Sequence, residues 1–149
     1  MSNEDVIAQH RRYNDEVLNR GDLDLLAELV APDYVDHMAG GPELRGPEGL
    51  RRFIAAFLAA FPDARFTVHD RVVQGEKVAV RWSMRGTHRG AFNGIQPTGR
   101  TVTTTGLAIH RFVAGRLAES WEQFDALGLL QQLDTRPEAA PEGRPVSPA

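Results

Sequence analysis

The residues best suited to chemistry lie close together near the C-terminus, in residues 109–125, IHRFVAGRLAESWEQFD. Ala114 and Gly115 separate two alternating runs, which reads as a β-hairpin with a two-residue turn. Pairing across that turn sets Val113 against Arg116, Phe112 against Leu117, His110 against Glu119 and Ala108 against Trp121. Directly opposed residues share a face. One face then carries Ala108, His110, Phe112, Leu117, Glu119, Trp121 and Gln123, and continues by parity to Asp125. Apolar walls with a few placed polar groups are what a ligand pocket needs, and an imidazole with a carboxylate there could move a proton. Two structural readings stand beside this one. His110 and Glu119 could form an ordinary cross-strand pair. Asp125 could cap the last helix, since Asp is favoured at an N-cap.

Other catalytic signatures are missing from the sequence. His10, His37, His69, His88 and His110 are scattered, with no His-x-His or His-Glu-x-x-His spacing, so no metal site is expected. There are no cysteines, which removes thiolate catalysis and Cys-ligated metals. No phosphate-binding Gly-Lys-Ser/Thr loop, dinucleotide fingerprint or Gly-x-Ser-x-Gly elbow occurs, so no cofactor is expected.

The elements that must hold these residues follow from periodicity. Val6, Gln9, His10, Tyr13, Val17 and Leu18 recur at helical spacing and predict a helix over 3–19 that ends at Gly21. A short second helix follows Asp22 and stops before Pro32, and residues 34–37 are extended. Pro47 opens a third helix with a stripe of Leu50, Phe53, Ile54, Phe57, Leu58 and Phe61. From Pro62 the period changes to two. Strands are predicted over 64–74 and 77–88, then over 101–113 and 116–124, before a final helical turn or two over 125–133. The first hairpin sets His69 against Trp82 on one face and Asp70 against Arg81 on the other, the latter as a structural ion pair. Residues 134–149 hold four of the nine prolines and no apolar periodicity, and read as a dispensable disordered tail. Helices followed by long antiparallel strands predict one α+β domain over 1–133, with a cone-shaped, curved antiparallel sheet wrapped around the N-terminal helices and enclosing a pocket.

The chain of 149 residues suits one domain. A net charge of −3 argues against nucleic-acid or anionic-membrane partners. No apolar run is long enough for a membrane span, and no signal-peptide pattern opens the sequence, which points to the cytoplasm.

Three stretches together resemble the SnoaL-like polyketide cyclase family of the nuclear transport factor 2-like superfamily. They are LNRGDLDLLAELVAPDYVDH (18–37), VAVRWSMRGTHRGAFNGIQPTGRTV (78–102) and IHRFVAGRLAESWEQFDALGLLQQL (109–133). The resemblance covers roughly residues 5–133 and implies an α+β cone with a pocket. It also implies ring closure by intramolecular aldol condensation, without metal or cofactor, using an aspartate as acid and base. The family's Trp-x-x-x-Asp pattern falls on Trp121 and Asp125 and favours Asp125 as a functional carboxylate. His110, Gln123 or a bound water could donate to the enolate. Tyr13, Asn14, His37, Phe57, Phe61, Trp82 and Trp121 complete the candidate substrate contacts. The implied partner is a hydrophobic small molecule, and a homodimer is expected. Two other functions fit the same fold. One is an epoxide hydrolase, for which Asp70 and Arg81 would have to lie in the pocket. The other is a non-catalytic module that binds a hydrophobic ligand or supports a dimer.

Overall fold

A computed structural model gives the protein's structure and describes residues 1–133; the tail expected over 134–149 lies outside them. Ser2 caps α1 (Asn3–Arg12) in a reciprocal arrangement with Asp5. The expected helix over 3–19 is continuous, but its second half, Tyr13–Asn19, is wound as a π-helix. A 3₁₀ turn (Leu23–Leu25) and α2 (Leu26–Leu29) form the short second helix. The extended piece begins earlier than the sequence suggests, as β1 (Val30–Met38). The two-residue β2 (Leu44–Arg45) leads into α3 (Gly46–Ala60), with Pro47 in its first turn. Then come β3 (Arg65–Gln74), β4 (Lys77–Thr87), β5 (Thr101–Val113), β6 (Arg116–Phe124) and α4 (Ala126–Gln132).

The six strands form one curved sheet in the order β2-β1-β6-β5-β4-β3. It is mixed rather than antiparallel throughout, because β1 runs parallel to β6. The N-terminal helices and α3 pack on its concave face. Val6 and Val17 on the first helix meet Leu50 and Ile54 on α3, and Val78, Val80, Phe112 and Leu117 on the sheet, in one buried cluster. A second cluster at the other end joins Phe61, Met84, Val102, Leu129 and Leu133. At the β3 edge, Asn19 meets the backbone of Phe66 twice. Its Oδ1 accepts from the Phe66 N–H at 2.7 Å and its Nδ2 donates to the Phe66 carbonyl at 2.9 Å. Gly106 on β5 lies opposite Trp82 on β4, and any side chain at Gly106 would overlap the indole.

Two registers depart from simple counting. In the β3–β4 hairpin, Val73, Arg71 and Asp70 oppose Val78, Val80 and Arg81 as expected, but Val68 rather than His69 faces Trp82. In the β5–β6 hairpin, Phe112 opposes Leu117 and Arg111 opposes Glu119, which leaves Ala118 without a partner. That one extra residue is a β-bulge, and beyond it every side chain of β6 changes face. His110 therefore opposes Ser120, not Glu119, and Ile109, not Ala108, opposes Trp121.

Candidate active site

The bulge decides what lines the interior. On the concave face, one row across the sheet runs Val73, Val78, His110, Ser120 and Asp36. The next row runs Arg71, Val80, Ala108, Glu122 and Met38. Above these rows, α3 and the first helix leave a cavity of about 100 Å³. Its walls are largely apolar, with Leu50, Ile54, Phe57, Phe66, Trp82 and Phe124. Its polar groups are His10, Tyr13, Asn14, Asp36, Thr104, His110 and Glu122.

Burial sets the protonation of these groups. It lifts the Glu122 carboxyl to about 8, with the nearby Asp36 charge adding to the effect. Glu122 Oε1 stands 3.9 Å from His110 Nε2, near it but beyond hydrogen-bond length. Burial pushes His110 down to about 4, so at neutral pH the imidazole is uncharged and Glu122 is mostly protonated. The two are therefore a neutral acid beside a neutral base rather than an ion pair. A short chain of hydroxyls holds the ring: Tyr34 donates to Ser120 Oγ at 3.0 Å, and Ser120 Oγ lies 2.7 Å from His110 Nδ1. Asp36, on the far side of Ser120, is raised to about 6 by burial. Its buried Oδ1 has no hydrogen-bond partner. Burial, helped by the Glu122 and Asp36 charges, keeps the proton on the Tyr13 phenol well above its ordinary range. A carboxyl poised near neutrality in an apolar cavity is equipped to take and return a proton.

The sequence-derived candidates divide between two faces. His110, Tyr13, Asn14, Phe57 and Trp82 line the cavity. Phe61 is fully buried behind it, its ring 5.0 Å from that of Phe57. Trp121, Gln123 and His37 lie on the convex face, where they line a separate groove with Leu107 and Ile109. There His37 bonds Glu43 and Glu119, each at 2.8 Å, and stacks on Trp121 at 5.6 Å. The Glu119 bond, with Glu43 adding to it, raises the His37 pKa. Lys77 Nζ stands 5.3 Å above the other aromatic element of this patch, Trp121. Asp125 is exposed at the N-cap of α4, with Oδ1 accepting from the Gly128 N–H at 2.9 Å, and is not among the cavity-lining residues. The expectation that His110 and Asp125 point together into the pocket is thus corrected by the bulge. Asp70 and Arg81 pair at 2.6 Å with both side chains more than half exposed on the convex face, so the arrangement an epoxide hydrolase would require is not formed. Glu122, Asp36 and His10 escaped the sequence reading. His10 alone carried a signal, since it lies on the same helical stripe as Val6, Tyr13 and Val17.

Among the described residues, no three metal-ligating side chains come together, and no helix is long and apolar enough to cross a membrane.

A curved mixed sheet closed over by N-terminal helices is the nuclear transport factor 2-like class of α+β fold. Within it the chain belongs to the SnoaL-like polyketide cyclase family, whose family model matches residues 8–133. It is 31% identical over 137 residues to the aklanonic acid methyl ester cyclase DauD of Streptomyces sp. strain C5, covering 89% of this chain and 84% of that one. It is 30% identical to the aklanonic acid methyl ester cyclase DnrD of Streptomyces peucetius, covering 86% and 90%. Among solved structures, wild-type IdmH of Streptomyces antibioticus matches with a TM-score of 0.73 and 40% identity, covering 87% of this chain and 96% of IdmH. A SnoaL-like protein of Jannaschia sp. CCS1 shares the fold with a TM-score of 0.85 at 22% identity, covering 92% and 98%.

Proposed function

We propose that the protein is a cofactor-free cyclase of a hydrophobic carbonyl substrate, with Glu122 rather than Asp125 as the acid/base. The observation that carries this reading is the placement of Glu122 in the largely apolar cavity, 3.9 Å from His110, where burial lifts its carboxyl to about 8. Ionised Glu122 takes a proton from the carbon alpha to a carbonyl. The resulting enolate carbon attacks a second carbonyl of the same molecule, forming one C–C bond, and the new alkoxide takes the proton back from Glu122. No atom is lost, so substrate and product are isomers. His110 stands where it could hydrogen-bond the developing oxyanion directly or through water. DauD and DnrD are named as aklanonic acid methyl ester cyclases, which makes that ester the first substrate to assay. Glu122→Gln is expected to lower turnover by about 10²–10⁴-fold with the circular dichroism spectrum unchanged. Asp125→Asn is expected to stay within a few-fold of wild type. The opposite ranking overturns the assignment.

The convex face supports a second proposal, a homodimer. Val72, Ala79, Ile109, Trp121 and His37 form one continuous row across five strands on this side. Val72, Leu107 and Ile109 are 67%, 62% and 42% exposed, an apolar band that monomers seldom leave uncovered. Sedimentation equilibrium at micromolar concentration should give twice 16.5 kDa. Leu107→Glu should return the mass to the monomer value. A wild-type monomer refutes the proposal.

A further inference from the structure

Arg71 lies in the Glu122 row, three strands away, and its Nε donates to His10 Nδ1 at 2.9 Å. A guanidinium has only donors, so Nδ1 must present its lone pair, and the proton of the neutral ring must sit on Nε2. The charged ring is disfavoured as well. Burial, reinforced by His110 and Arg71, pushes His10 down to about 2. Among the described residues, the bond from Arg71 is the only hydrogen bond of the His10 ring. His10 is 3% exposed and lines the cavity, and its ring lies 5.1 Å from that of His110. His110 differs in kind. Its Nδ1 faces a serine hydroxyl, which can donate or accept, so either tautomer is accommodated.

We propose that His10 is a locked Nε2–H donor for a carbonyl or enolate oxygen bound in the cavity, and that Arg71 is the positioning residue that holds it in that tautomer. A neutral donor in a largely apolar cavity stabilises an oxyanion without surrendering a proton to it, which leaves proton transfer to another group. The part played in turnover rests on the acid/base reading of Glu122; the tautomer lock does not.

The test uses the full chain labelled with ¹⁵N. Two-bond ¹H–¹⁵N correlations at pH 7 and pH 5 should show His10, assigned by its loss in His10→Phe, as the uncharged Nε2–H tautomer at both values. Arg71→Lys keeps a donor and should keep the pattern, whereas Arg71→Met should give mixed tautomers or a ring that titrates. An Nδ1–H or charged His10 in the wild type at pH 7, or an unchanged pattern in Arg71→Met, overturns the lock. If Arg71→Met does not fold, the wild-type and Arg71→Lys spectra decide. Binding of 2,4-dinitrophenolate serves as the oxyanion probe. His10→Phe and Arg71→Met should each weaken it by about tenfold, the equivalent of about 1.4 kcal/mol, and the double variant by no more than either alone. Equal binding by wild type and His10→Phe, or no binding by wild type, overturns the donor role. Failure here with Glu122→Gln inactive removes this inference alone. A locked tautomer with Glu122→Gln fully active removes the acid/base reading alone.

Discussion

Replacing Glu122 by Gln should change how folding stability depends on pH, in a window set by the cavity. Burial raises the carboxyl from 4.5 to about 8, so the folded chain keeps a proton that the unfolded chain has already lost. Between those values the unfolded state binds fewer protons, and stability must fall as pH rises. Below 4.5 both states hold the proton and nothing is lost; above 8 the loss is complete. Each pH unit inside the window is worth about 1.4 kcal/mol. From pH 6 to pH 9 the wild type should therefore lose about 2–3 kcal/mol relative to Glu122→Gln. Asp36, raised only to about 6, has most of its window below this range. His10 and His110 have depressed values, so each gains stability as pH rises toward 6.5. These groups are present in both proteins and cancel in the difference. Urea denaturation of both proteins at pH 6, 7, 8 and 9 measures it, with the m-value checking that the unfolded states remain comparable. Parallel stability curves across that range would refute the claim that the Glu122 carboxyl is desolvated in the fold.

Two further outcomes follow from packing and capping. Asp125→Ala removes the α4 cap and should cost about 1 kcal/mol, read as a lowered thermal midpoint; an unchanged midpoint would show that the Gly128 contact contributes nothing. Gly106→Ala forces a methyl group into the Trp82 indole and should cost about 1–3 kcal/mol with a shift in tryptophan emission. A variant as stable as wild type would mean that both the indole and the facing Gln123 carbonyl are free to move aside.

The positions of the elements were legible because their signals are local. Gly75-Glu76 and Ala114-Gly115 mark both hairpin turns, and Pro47 and Pro62 bracket α3. The parallel pairing of β1 with β6 had no such signal, because it joins segments more than 80 residues apart and depends on how the sheet closes. The candidate site was half legible for a related reason. Counting outward from a turn gives the right face only while the ladder is unbroken, and Ala118 breaks it after two pairs. One clue to the true register was present. Arg111 and Glu119 carry opposite charges and come face to face only if a residue is skipped between Leu117 and Glu119. The same skip sends Trp121 outward, against the expectation that a large aromatic side chain on a mixed strand faces the core. Asp36 was hidden within a segment too short to show alternation, and its side chain faces inward because β1 is locked to β6.

The two hydrogen bonds from Asn19 to Phe66 have a consequence for assembly. A sheet ends where its outer strand offers unpaired N–H and C=O groups, and those groups invite another strand to add. At Phe66 a side-chain amide occupies both, acting as a one-residue stand-in for the missing neighbour. An incoming chain would have to displace Asn19, and with it the end of the π-helical segment. At the opposite edge, β2 offers only two residues. Strand addition is therefore opposed at Phe66 on one margin and has only two residues to pair with on the other.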